Sequence, residues 1–275
     1  MGRPLAAIDP IHLRSLAAEL SDEEIALRLG FARVTVTAAR KRFGIQSFTQ
    51  STGLKRRDGL PGHGGRRRGI QFNETFFADL NDEASAYFLG LLAADGSIAK
   101  RGNTVEIQLA EPDHHVLDDF IRSIDGDGCS IKPRRRSDRR KTFHRLTLCS
   151  KTLSQDLVSW GLTPAKTELL ELARPLPDSH IRHFLRGFWD GDGSIGRSHF
   201  EVGIRSEAFA RQIRAMITRV GGEKPPFRQS RTKLGKPFFV ITVASRRFQL
   251  FRQELYRDCS VRMERKYGLF LEHWC

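Results

Sequence analysis

Three short runs of helical apolar spacing open the chain. PIHLRSLAAEL reads as a first helix, and Ser21 with Glu24 forms a capping box that starts a second, SDEEIALRLG, which Gly30 ends. ARVTVTAARKRFGI supplies a third, and Ile25, Leu29 and Val36 fall on the inward face of this small unit. Periodicity then stops. Residues 48–70, FTQSTGLKRRDGLPGHGGRRRGI, have glycines and two basic clusters in place of apolar positions, so they cannot bury a core and read as a tether. From about residue 71 the alternation returns, and the same order of elements comes twice: helix, two strands, helix, two strands, helix. GSIAKRGNTVEIQLAE and GSIGRSHFEVGIRS are the first strand pairs, DHHVLDDFIRSID and EAFARQIRAMITRV the middle helices, SIKPRRRSDRRKTFHRLTLCS and PPFRQSRTKLGKPFFVITVAS the second strand pairs, and KTLSQDLVSWG and RRFQLFRQELYRD the closing helices.

The two halves are tied by a repeated stretch. YFLGLLAADGSI at 87–98 and FLRGFWDGDGSI at 184–195 superpose Gly90 on Gly187, Ala94 on Gly191 and Asp95 on Asp192. Phe88, Leu89, Leu91 and Leu92 in one copy, with Phe188 and Trp189 in the other, predict buried helices. Gly90 with Ala94 and Gly187 with Gly191 put small residues on one face of each helix, a spacing that lets two backbones approach closely. The natural partner of each helix is the other. Gly96 and Gly193 then end the helices, which leaves Asp95 and Asp192 together at two helix C-termini, where carboxylates repel one another and the helix dipole opposes both. A bound divalent cation such as Mg2+ would remove that conflict.

Charge narrows the class of partner. Lys and Arg number 46 against 32 Asp and Glu, a formal charge of +14, which points to a polyanion. The four cysteines, Cys129, Cys149, Cys259 and Cys275, show no C-x-x-C pairing, so neither a zinc site nor a disulfide framework is expected, and they read as reduced thiols of a cytoplasmic protein. No apolar run is long enough to span a bilayer, and MGRPLAAIDP lacks the apolar segment of a signal peptide. The first 45 residues, two helices on a glycine turn with the following helix rich in Arg, Lys and Thr, resemble a helix-turn-helix, with Arg33, Thr35, Thr37, Arg40 and Lys41 available to DNA.

The stretches FLGLLAADG and LRGFWDGDG resemble the repeated motif of LAGLIDADG homing endonucleases, and residues 71–275 resemble that family's single-chain, two-motif branch in element order as well. The resemblance implies an α+β fold of two pseudo-symmetric αββαββα halves with antiparallel DNA-binding sheets. Together with the helix-turn-helix read at 1–45 and the linker at 46–70, it divides the rest into a first half at 71–172 and a second at 173–275. It also implies phosphodiester hydrolysis on Mg2+ or Mn2+, with Ca2+ as a non-catalytic substitute. Asp95, Asp192, Gly96 and Gly193 would form the metal set, Lys166 and Lys266 would be catalytic lysines, and Glu111 or Ser206 a polar residue ending the second strand.

The strand pairs would lie in the major groove and offer Glu106, Gln108, Arg145, Thr147, Glu201, Arg205 and Arg228 to bases. The turns containing Arg134, Arg135, Arg136, Arg231 and Lys233 would meet phosphates. The expected partner is double-stranded DNA with a long target, met by a monomer in the cytoplasm, on the nucleoid, or in an equivalent DNA-containing compartment. The same features are compatible with a transcription regulator that keeps the fold for binding, or with an intron-RNA maturase. Keeping both Asp95 and Asp192 argues against the regulator, because binding alone needs no repulsive acidic pair.

Overall fold

A computed structural model describes residues 8–45, 70–135, 142–164, 168–196, 199–221, 223–232 and 234–272. The chain divides into two compact units, Met1–Arg66 and Arg67–Cys275.

In the first unit, α1 (Pro10–Glu19), α2 (Asp22–Leu29) and α3 (Arg33–Arg42) pack around a core of their own that includes Leu13, Leu16, Ile25, Val36 and Ile45. Asp9 accepts from the first-turn amides of α1, and Ser21 and Glu24 make the reciprocal capping box of α2. Gly30 ends α2 at φ +70°, a conformation that costs glycine little.

The second unit begins its regular structure with α4 (Glu83–Asp95), β1 (Gly96–Ile98), β2 (Val105–Ala110), α5 (His115–Ser123), β3 (Lys132–Arg135), β4 (Thr142–Leu148) and α6 (Lys151–Ser159). The order then repeats as α7 (Asp178–Asp192), β5 (Ser194–Ile195), β6 (His199–Ile204), α8 (Glu207–Gly221), β7 (Phe227–Arg231), β8 (Pro237–Ala244) and α9 (Ser245–Tyr256), with a further helix, α10 (Glu264–Glu272), at the end. Each half makes a four-stranded antiparallel sheet, in the orders β1-β2-β4-β3 and β5-β6-β8-β7. The mixed helix and antiparallel-sheet architecture in two matching halves is the one the sequence pattern predicts.

Strand alternation decides which face of each sheet is wet. Val105, Ile107 and Leu109 of β2 and Phe200, Val202 and Ile204 of β6 are buried, whereas Glu106, Gln108, Glu201 and Gly203 lie on the opposite face. Each buried aromatic or aliphatic side chain of this kind contributes about 2 kcal/mol of hydrophobic stabilisation before chain entropy is counted. Helices α4 and α7 run through the middle of the core, and Tyr87, Phe88, Leu89, Phe184, Leu185 and Trp189 are all fully buried.

Candidate functional site

The site is built on the crossing of α4 and α7. A Cβ on Gly90 would overlap the carbonyl oxygen of Phe184 and stand 2.9 Å from the amide nitrogen of Phe188. A Cβ on Gly187 would overlap the carbonyl oxygen of Tyr87 and stand 3.0 Å from the amide nitrogen of Leu91. The contact is backbone on backbone and nearly two-fold. One turn further on, a Cβ on Gly191 would overlap that of Ala94 and stand 3.1 Å from Oδ2 of Asp95, which sets the Asp95 carboxylate over the residue preceding Asp192. Both aspartates are exposed. Asp192 shares a cavity of about 80 Å3 with Ala93, Ala94 and Phe188 of the two helices and with Arg205.

Gly96 and Gly193 end their helices in extended rather than left-handed backbone, with φ −78° and −74°. Space, not φ, requires glycine there: a Cβ would run into Leu92 at the first position and the indole of Trp189 at the second.

Beneath the aspartates lies a network the sequence motif does not announce. Asp190 is buried; its Oδ2 accepts from Tyr87 Oη and the Met263 amide, each at 2.8 Å, and its Oδ1 accepts from Tyr256 Oη at 2.7 Å. Burial pushes the Asp190 carboxyl up against the lowering of those hydrogen bonds, and burial beside Asp190 pushes both tyrosines well up. Arg186, also fully buried, donates to Glu83 Oε1 at 2.5 Å, to the carbonyls of Val261 and Leu255 at 2.9 and 2.8 Å, and to His183 Nδ1 at 3.1 Å. These bonds fasten the segment after α9 to both central helices. A charge set among the aromatic and aliphatic residues of FLRGFWD was the available signal, and Asp190 and Arg186 both carry it.

Lys266, expected as a catalytic lysine, has its ammonium turned to helix-end carbonyls. It sits in the first turn of α10, buried, and its Nζ donates to the carbonyls of Trp189, Gly191 and Gly193 at 2.7, 3.2 and 2.7 Å. All three donors are spent on the C-terminus of α7, where a cation complements the helix dipole, and burial lowers its pKa against the pull of Asp190. The Gly193 carbonyl, expected in the metal set, accepts one of these bonds. Lys166 lies outside the described residues.

The strand-end residues are also redistributed. Ser206 is buried and its Oγ accepts from the Phe209 amide, which makes it the cap of α8. The polar side chain that ends β6 at the cavity is Arg205, whose Nη2 meets Glu168 at 2.7 Å and whose buried Nε has no hydrogen-bond partner among the described residues. By strand register its place in the first half is held by Ala110; the next residue, Glu111, matches Ser206 and is bonded to His144 Nε2 at 2.8 Å.

On the wet sheet faces, Gln108 stands opposite Arg145 in register, and Arg145 Nη1 is 3.3 Å from Glu106. Arg228 Nη2 is 3.5 Å from Glu201, Arg231 bonds the Gly235 carbonyl, and Arg134 is exposed on β3. Arg135 ends β3, while Arg136 and Lys233 lie outside the described residues, as do Cys275 and the linker clusters. In the first unit Arg33 and Lys41 are exposed. Arg40 is not available to DNA: it is buried, bonded through Nε to Asp22 at 2.8 Å and through Nη1 to the Ile45 carbonyl at 2.8 Å. Thr37 donates its hydroxyl to the same Asp22 at 2.8 Å, and Thr35 is half-buried. Asp22 draws both inward, because an unpaired carboxylate in that place would cost more than two surface contacts return.

Among the described residues no group of three or more His, Cys, Asp or Glu side chains gathers as a metal site, so a cation would depend on Asp95 and Asp192. No helix among them is long and apolar enough to cross a membrane.

Residues 179–256 match the family described as LAGLIDADG-like domain. Among solved structures the chain is similar to I-DmoI in complex with DNA and Ca, at 15% identity over 73% of this chain and 99% of that one, with a TM-score of 0.50. It is also similar to I-WcaI bound to its DNA recognition sequence, at 13% identity over 76% and 95% with a TM-score of 0.49. Full-length DUF199/WhiA from Thermatoga maritima matches at 12% identity over 74% and 66%, with a TM-score of 0.46. No curated protein matches the sequence. At these identities the likeness is one of fold.

Proposed function

We propose that this protein, whose second half contains a LAGLIDADG-like domain and whose second unit has the two-half LAGLIDADG fold, is a site-specific, metal-dependent endonuclease of double-stranded DNA. The observation that carries the reading is the placement of Asp95 and Asp192: two exposed carboxylates at the C-termini of helices packed backbone to backbone, one from each of two halves whose sheets have the same strand order. An all-oxygen carboxylate donor set suits Mg2+ or Mn2+. Bound there, such a cation would supply Lewis-acid stabilisation to the oxygens that attack and leave a phosphate.

The chain's own residues do the rest. Lys266 fixes the end of α7 through three carbonyls, so Asp192 is held at a defined place. Arg205, beside Asp192, offers a guanidinium to a phosphate oxygen. The wet sheet faces supply the surface for bases, and the formal charge of +14 draws the duplex in. Arg33 and Lys41 of the first unit add phosphate or base contacts outside the cutting site, which lengthens the target.

The test is direct: a randomised duplex library incubated with the purified chain and Mg2+, with the product ends sequenced. Recurrent paired ends at one site support the endonuclease. Tight binding with intact DNA supports a binding-only regulator instead.

A further inference from the structure

Each sheet carries the same row of side chains across three strands. Ser97 of β1 stands opposite Glu106 of β2, which stands opposite Thr147 of β4; Ser194 of β5 stands opposite Glu201 of β6, which stands opposite Thr242 of β8. In both, the threonine hydroxyl donates to the glutamate, at 3.3 Å from Thr147 and 3.2 Å from Thr242. In both, an arginine guanidinium reaches the same carboxylate: Arg145 at 3.3 Å and Arg228 at 3.5 Å.

The arginines come from different strands. Arg145 is on β4, opposite Gln108. The corresponding place on β8 is Val240, opposite Gly203, and Arg228 approaches from β7, where it pairs with Val240. Two backbone routes therefore lead to one arrangement, an acceptor and a forked donor side by side on the wet face. The glutamates are 37% and 39% exposed and the arginines 29% and 61%, so both partners face solvent.

A stability role explains this poorly, since exposed pairs of this kind contribute little. A carboxylate on a surface that meets DNA is electrostatically costly unless it has something to accept. In the major groove guanine presents two acceptors, N7 and O6, and its cytosine an N4 amino donor. An arginine fork beside a carboxylate is the complement of that pattern. An A·T pair alternates acceptor, donor, acceptor and is not matched.

We propose that Glu106–Arg145 and Glu201–Arg228 are twin readers of a G·C base pair, arginine on guanine and glutamate on cytosine. The target would then carry G·C pairs at mirror-related positions about its centre, whatever else differs between its halves. Ser97 and Ser194 lie two residues beyond Asp95 and Asp192, and one strand spacing from the glutamates. This puts each reader on the order of 10 Å from its aspartate, on the inner part of the site. The inference rests on the DNA-binding reading above.

The test uses the full chain with Ca2+, which prevents cutting under that reading. Binding selection from a randomised duplex library should enrich G·C pairs at two positions equidistant from the centre. Replacing guanine by 7-deazaguanine at either position should weaken binding roughly tenfold or more. R145M should abolish that penalty at one position and leave it at the other, and R228M should do the reverse; both variants should melt with the wild type. Selected sites without mirrored G·C pairs, or a 7-deazaguanine penalty that persists in both variants, overturns the proposal while DNA binding stands. Failure of the wild type to hold any duplex overturns the DNA-binding reading itself.

Discussion

Gly90 and Gly187 each lie beneath a backbone carbonyl of the other's helix, one turn before the partner glycine: Gly90 against Phe184, Gly187 against Tyr87. Neither obstacle is a side-chain tip that can swing away, so an added methyl must part the helices. Gly90→Ala and Gly187→Ala are each expected to cost about 3 kcal/mol or more, read from urea unfolding. A loss below 1 kcal/mol in both would mean that the crossing is looser than described.

Lys266→Met should also destabilise, by about 2–4 kcal/mol, since it strips a buried cation from the carbonyls of Trp189, Gly191 and Gly193. If Lys266 were instead a surface-type catalytic group, the variant would melt with the wild type and lose only activity.

His183 gives a pH signature. Burial, then the neighbouring Arg186, lowers its pKa from 6.5 to about 4. Between those values the unfolded chain binds a proton that the native ring refuses. The contribution of His183 is therefore complete above pH 6.5 and lost as pH falls toward 4, by up to about 3 kcal/mol. Subtracting the unfolding free energy of His183→Gln from that of the wild type across pH 4–7 should isolate this slope; a flat difference contradicts a buried neutral ring.

Asp95→Asn and Asp192→Asn address the proposed chemistry. Each keeps the side-chain shape and removes one anionic ligand, so cleavage of both strands in Mg2+ should fall by several orders of magnitude, on the order of 10²–10⁴. Duplex binding in Ca2+ should persist. Wild-type cutting rates in both variants would place the cation elsewhere.

The first unit separates two kinds of arginine. Arg40→Ala should lower that unit's own stability by about 2–3 kcal/mol through loss of the Asp22 and Ile45 bonds, seen as earlier melting of its helices. Arg33→Ala and Lys41→Ala should leave stability within about 0.5 kcal/mol, weaken duplex binding, and each reduce the slope of log K against log salt by about 1. Unchanged salt slopes would remove this unit from the DNA interface.

What was legible in the chain were features carried by local pattern. The capping box at Ser21 and Glu24, the αββαββα order in both halves, and the small residues at Gly90 and Gly187 follow from spacing alone, because helix and strand periods repeat within a few residues. Tertiary structure decided which charges are used and which are buried. Arg40 and Lys266 look in sequence like any other cations of a basic protein, and only the fold brings Asp22 to one and three helix-end carbonyls to the other. Apart from His183 beside Arg186, the partners of Asp190, Arg186 and the Glu–Arg pairs on the sheets lie from 27 to 103 residues away, and no local pattern encodes a distance of that kind. Burial made the choice: a charge taken out of water is retained only where several hydrogen bonds meet it, and the packing of the two halves determines where those bonds are.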